Sequence, residues 1–311
     1  MRIRALIFAA AVLAATAAAA QDFRENLVEA DTLTVGTSGA APPFSMTDAT
    51  GALEGFDIDV MTAVGEELGI GVIFRQLDFA GLLPGLTAGR FDVIASGVTR
   101  TPERLASTDF ILLSPYIVNG AAITRRTGDE DITGWEAVCG KTMGAVRGGT
   151  FQKVAMETLP EGCVTETREY PGSTELFLDL ANRRIDFAAH DFLGPNYLLK
   201  SGKVEGVVVL PELLATITQS VAISPKNPAL AEAIASARAA PTRAVIAEIA
   251  AASPTVSAAA PWMYLAAGEA RKTAAPAMSE ASPQRPAGMR SRIARLRASS
   301  ARRASVLLVS M

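Results

Sequence analysis

The chain has 311 residues, room for two ordinary domains with a substantial buried core, and its 49% hydrophobic and 20% charged residues exclude disorder over most of its length. One His and two Cys leave too few ligands for a zinc site, and no cofactor is expected. The net charge of −3 divides unevenly: +2 over residues 1–20, −13 over 21–270 (18 Lys+Arg against 31 Asp+Glu) and +8 from Arg271 onward, so an acidic body argues against nucleic acid as a partner.

Met1-Arg2-Ile3-Arg4 followed by the apolar run Ala5–Ala15 and Ala18-Ala19-Ala20 reads as a secretory signal peptide over 1–20. A transmembrane anchor would need about 20 apolar residues. No Cys follows the cleavage position, so a lipid anchor is not expected. The mature protein is therefore expected to be exported and soluble.

Leu33–Gly36 predicts a strand, followed by a turn-rich loop over Thr37–Pro43. Phe56, Ile58, Val60, Met61, Val64 and Leu68 mark an amphipathic helix ending near Gly69. A strand over Val72–Leu77, a helix over Ala80–Ala88 and a strand over Phe91–Ala95 follow. The second half repeats this alternation. Strands are predicted over Lys141–Val146, Val164–Tyr170, Asp186–Ala189 and Val204–Val209, with helices starting at Thr150, Ser173 and Phe192. The order implies two α/β lobes, each a mainly parallel sheet flanked by helices. Leu86–Ala95 aligns without gaps on Leu180–Ala189, both reading as helix end, Arg, apolar residue, Asp, buried strand. Ser96-Gly97 and His190-Asp191 then follow the two strands, where parallel sheets bind ligands.

Two long apolar runs, Tyr116–Arg125 and Thr216–Ser224, are candidate crossings between the lobes, which makes a two-segment hinge and a clamp. Lobe 1 is assigned to 21–117 plus 220–264 and lobe 2 to 118–219. Helices over Pro228–Ala239 and Thr242–Ala252 return to lobe 1. In an oxidising compartment Cys139, which precedes an apparent strand, and Cys163, which opens another, read as one disulfide; two free buried thiols are the alternative. The tail 265–311, rich in Ala, Arg, Ser and Pro, reads as a basic disordered appendage, with an altered reading frame as another explanation.

Between about Leu33 and Ile249 the chain resembles periplasmic solute-binding proteins of ABC importers, polar amino-acid class (family 3 solute-binding proteins). The resemblance is carried by Val35-Gly36-Thr37 with Pro42-Pro43-Phe44, Gly55 through Val60, Gly81 through Leu86, and Phe91 through Gly97 running into Thr101-Pro102-Glu103-Arg104. Asp109-Phe110, Ser114-Pro115-Tyr116, Gly148-Gly149-Thr150 and Asp186 through Asp191 complete it. It implies a two-lobed periplasmic-binding-protein fold that captures an amino-acid-like ligand and hands it to a permease in the inner membrane.

The resemblance also implies roles. Arg104 is expected to grip the ligand α-carboxylate through its planar guanidinium, and Asp191 to hold the α-ammonium. Ser96, Gly97 and Thr99 would supply donors from a strand-end loop, and Thr150 a further one at a helix start. Phe44 and Phe79 would flank the ligand side chain. Other readings stand beside these: a surface Arg for Arg104, helix caps for Thr150 and Asp191, core packing for the two Phe. Asp57 and Asp59 read as helix-start acids, and His190 as a structural residue. The loop Ser38-Gly39-Ala40-Ala41 lacks the acidic and aromatic residues of cation-binding relatives, Ala80 stands in place of a common Asp, and Arg100 replaces an apolar residue. Arg147 could face an acidic side chain. An enzyme on the same scaffold, a cyclohexadienyl-dehydratase type using His190 with Asp191 or Glu175, is the alternative function.

Overall fold

The computed structural model describes residues 22–237, apart from 161, 162, 164 and 165. The expected signal peptide, the helix over Thr242–Ala252 and the basic tail lie outside the described residues. Twelve strands are assigned among those described. They are β1 (Thr32–Thr37), β2 (Ala40–Ala41), β3 (Ser45–Thr47), β4 (Leu53–Glu54), β5 (Gly71–Gln76), β6 (Val93–Thr99), β7 (Ile111–Leu112), β8 (Ile117–Arg126), β9 (Met143–Val146), β10 (Thr167–Tyr170), β11 (Phe187–Asp191) and β12 (Val207–Ile223). The helices between them are α1 (Phe56–Leu68), α2 (Phe79–Thr87), α3 (Pro102–Ala106), α4 (Phe151–Thr158), α5 (Ser173–Ala181) and α6 (Leu193–Lys200), followed by α7 over 228–237. No helix among the described residues is long and apolar enough to cross a membrane.

One extended sheet runs in the order β10-β9-β11-β8-β12-β6-β1-β5. Its two flanks, β6-β1-β5 and β10-β9-β11, are parallel, as the strand–helix alternation predicts. Between them β8 and β12 pair antiparallel over most of their length and are the two crossing segments. Ile117 at the start of β8 packs in one core with Leu33, Val35 and Val93, whereas Ile123, six positions on, packs in another with Met143 and Phe187. Along β12, Leu210 belongs to the second core and Val221 to the first. The cores therefore change over within these strands, and each lobe buries its own apolar side chains. In α7, Leu230, Ala231, Ile234 and Ala237 pack into the first core.

The internal echo has a physical cause. Asp92 is buried, and its carboxylate accepts the Thr34 N–H at 2.9 Å, the Thr34 hydroxyl at 2.6 Å and the Val28 N–H at 2.9 Å. Asp186 accepts the Thr142 N–H at 2.8 Å. Each Asp N–H also donates to its Thr carbonyl at 2.9 Å. In both copies an Asp just before one strand thus ties down the entry to its parallel neighbour. This fixes how far each strand projects toward its ligand-facing end.

Two elements differ from expectation. The segment expected as a loop over Thr37–Pro43 begins a small antiparallel sheet, β2-β3-β4, held by Ala40↔Met46 and Met46↔Glu54 pairs. The strand expected over Val204–Val209 and the crossing expected over Thr216–Ser224 are one 17-residue strand, β12, with register shifts between Val209 and Ala215. The shifts absorb extra residues as bulges, so the ladder continues from one predicted segment into the other.

Cys139 and Cys163 form a disulfide, with Cα atoms 4.8 Å apart, beside the parallel pair β9–β10. It closes a loop of 24 residues in sequence separation, which stabilises the fold by about 3 kcal/mol in the chain-entropy account. Reducing the protein, or replacing both cysteines by Ser, is expected to lower its melting temperature by about 6–12 °C. Differential scanning calorimetry with and without reductant checks this.

Candidate functional site

A cavity opens between the lobes at the ligand-facing strand ends. Ser38, Phe44, Phe79, Ser96, Gly97 and Thr99 line one side of it. Val146, Gly149, Thr150, Phe151, Ser173, His190 and Asp191 line the other, and Gln219 of the crossing strand β12 lies between. The pairs that end the two echoed strands, Ser96-Gly97 and His190-Asp191, therefore meet on one cavity.

Asp191 is the central group. It is 4% exposed, its Oδ1 accepts the Gly194 N–H at 2.6 Å, and its Oδ2 lies 3.0 Å from His190 Nδ1. Burial alone would raise its pKa. The His190 imidazole, the Gly194 N–H and the nearby Asn119 amide outweigh burial and hold the carboxyl below the ordinary carboxylate value. A depressed folded-state pKa contributes stability above the unfolded value of 3.8 and loses it as pH falls through the lower folded value. The cap reading for Asp191 holds too, since Gly194 lies in the first turn of α6. One carboxylate braces the helix and still lines the cavity.

His190 is clamped. Its Nε2 lies 2.9 Å from Ser173 Oγ, its ring stacks on Phe151 with centroids 5.4 Å apart, and it meets Phe177 edge-on at 5.2 Å. The Nδ1–Asp191 approach is close but not aligned as a hydrogen bond.

On the opposite wall two of the three expected donor residues, Ser96 and Gly97, are already engaged. Ser96 Oγ donates to Ser38 Oγ at 2.9 Å and accepts the Ser38 N–H at 3.0 Å. The Gly97 N–H donates to Asp57 Oδ2 at 2.8 Å, and the Gly97 carbonyl accepts Gln219 Nε2 at 3.1 Å. Gly97 has φ +62°, a left-handed conformation that suits glycine. Asp57 Oδ1 also accepts the Tyr116 hydroxyl at 2.7 Å, so this 1% exposed acid braces the strand-end loop and does more than favour a helix dipole. Phe44 and Phe79 line the cavity and also pack against the cores of the first lobe.

Thr150 lines the cavity and makes no side-chain cap bond to α4. Its buried Oγ1 has no partner. The first-turn N–H groups of α4 lack intrahelical acceptors by construction. Arg104 sits in α3, whose start is set by Thr101 capping the Arg104 N–H at 3.2 Å and by Pro102 in the first turn. Its guanidinium donates to the Thr99 carbonyl at 3.1 Å and, across the lobes, to the Gly148 carbonyl at 3.3 Å. It lies next to the lining residues Thr99 and Gly149 rather than on the lining itself. Burial pushes its pKa down, with Glu103 opposing, and a guanidinium stays protonated regardless. A second link between lobes, Lys153 with Glu103, is exposed and contributes little.

Arg147 departs from expectation. Its side chain is 54% exposed and pairs with Glu169 at 3.5 Å, outside the cavity. The left-handed turn at Gly148 separates it from the lining residues Gly149 and Thr150. Conversely, Gln219, Phe151 and Ser173 line the cavity without having been singled out. Gln219, a lone polar amide inside the apolar run Thr216–Ser224, was the readable signal.

Residues 33–250 match the profile of bacterial extracellular solute-binding proteins, family 3, and the chain belongs to that family. A Haemophilus influenzae protein named probable amino-acid ABC transporter-binding protein is 35% identical over 131 residues, 42% of this chain and 50% of that relative. An Escherichia coli protein named ABC transporter arginine-binding protein 1 is 31% identical over 215 residues, 68% of this chain and 85% of its own. Among solved structures, an ancestral arginine-binding protein bound to arginine superposes with a TM-score of 0.65 at 28% identity, covering 70% of this chain and 97% of that one.

The Asp57 brace is testable. Asp57→Ala strands the Gly97 N–H and the Tyr116 hydroxyl, and is expected to cost about 2–4 kcal/mol in urea unfolding, against about 1–2 kcal/mol for Tyr116→Phe.

Proposed function

We propose that the protein is exported to the periplasm by its N-terminal segment, captures an amino-acid zwitterion between its lobes as a monomer, and presents it to an ABC importer permease. The observation that carries this reading is the pairing of opposite charges across one cleft. The Asp191 carboxylate lines the cavity from lobe 2, and the Arg104 guanidinium approaches from lobe 1 beside Thr99 and Gly149.

In this reading the lobes, divided near 117/118 and 219/220, turn about β8 and β12. Asp191 takes the ligand ammonium. Arg104, whose bonds to two neutral carbonyls are weaker than a bidentate carboxylate pair, takes the carboxylate with help from Thr150. Closure is favoured only by contacts made when both lobes meet the ligand. Moving a 99:1 open population to 1:99 needs about 5.5 kcal/mol of such differential binding, which a few charge-assisted hydrogen bonds supply.

A binding role is favoured over a dehydratase. A general acid must present its proton to the reacting atom. His190 Nε2 is engaged by Ser173, its Nδ1 faces Asp191, and Glu175 is exposed and not part of the cavity lining.

A thermal-shift screen of the exported chain against the proteinogenic amino acids tests the proposal. A true ligand at 100 times its Kd stabilises by about 2.7 kcal/mol. Arg104→Ala and Asp191→Asn, checked as folded by circular dichroism, are expected to weaken binding at least 100-fold each. Because binding needs the ionised carboxylate, affinity is expected to hold above pH 4 and fall as acid protonates Asp191. Strong binding in both variants, or steady turnover of a cyclohexadienyl acid, would replace this reading.

A further inference from the structure

We infer that the cleft is built for an amino acid whose side chain carries no charge, an inference that rests on the amino-acid-binding proposal and narrows it. A zwitterion brings one cation and one anion. Asp191 on the lining matches the first and Arg104 beside the lining the second, while His190, the other titratable lining residue, is held between Ser173 and Asp191. The rest of the lining mixes small and aromatic residues such as Ala40, Ala41, Phe44 and Phe79 with the neutral polar groups of Thr150 and Gln219.

A side-chain guanidinium or ammonium would bring a second cation, and among the described residues no other carboxylate lines the cavity to meet it. Asp57 already accepts the Gly97 N–H and the Tyr116 hydroxyl, and Glu175 is exposed outside the lining. A side-chain carboxylate would fare no better. Arg147 is exposed and paired with Glu169, and Arg100 donates to the Leu113 carbonyl. An unpaired charge in a buried cleft is far costlier than a neutral group that finds a partner. Neutral polar groups do have partners to find. Gln219 is 2% exposed, lines the cavity and has an Oε1 with no hydrogen-bond partner, and Thr150 Oγ1 is likewise unpartnered. An acceptor oxygen of this kind suits an amide or hydroxyl donor.

Isothermal titration of the full exported chain, stripped of carried-over ligand by unfolding and refolding, decides the matter. Glutamine, serine, leucine, arginine, lysine and glutamate are the probes. At least one uncharged amino acid is expected to bind at least tenfold tighter than arginine, lysine and glutamate. Tightest binding by any of those three overturns the inference and leaves amino-acid binding intact. No binding by any of the six, extended to all proteinogenic amino acids, overturns both. Ala41→Asp adds the missing second carboxylate and is expected to improve arginine affinity at least tenfold over the parent chain, with Ala41→Asn as the uncharged control. Equal arginine affinity in a folded Ala41→Asp protein counts against the inference.

Discussion

A carboxylate held almost out of water is the constraint around which this cleft is arranged. Asp191 is buried at the end of β11, and burial alone disfavours its charge. The charge persists because the first turn of α6 and the neighbouring imidazole are fixed against it. Those partners are in turn fixed by packing. His190 is wedged between Phe151 and Phe177, and Ser173 at the start of α5 holds its far nitrogen. Three helices and a strand of one lobe thus converge on a single anion. In the proposed function this anion would take the ligand ammonium.

Much of this architecture is legible in the residues, and the reasons are local. The alternation of buried strands with amphipathic helices has only a few packing solutions. The echo of Arg90-Phe91-Asp92 in Arg184-Ile185-Asp186 marks equivalent strand entries, because the Asp in each copy ties to the neighbouring strand. Once the strand ends are placed, Ser96-Gly97 and His190-Asp191 follow. Arg104 is legible through the family resemblance, and the structure adds that Thr101 and Pro102 start the short helix that carries it.

The residues that resisted reading depend on long-range geometry. Gln219 reaches the cavity because β12 continues through its bulges, and turn propensities gave no warning of that continuity. Ser173 looks like a helix-start residue and Phe151 like core; only the position of the His190 ring reveals that they build its cage. Arg147 shows the reverse error. Its place beside two glycines and Thr150 suggested a ligand contact, but the turn at Gly148 leaves it outside, facing Glu169.

The distribution of spent and unspent donors bears on how closure could work. On the first lobe, Ser96 Oγ and the Gly97 N–H are committed to Ser38 and Asp57. The groups left with capacity lie at the lobe junction: Arg104, which reaches the Gly148 carbonyl of the other lobe, Thr150 Oγ1 and the first turn of α4. In the proposed function a ligand carboxylate would draw donors from both lobes, Arg104 from one and Thr150 from the other. That is the condition under which ligand and closure favour each other.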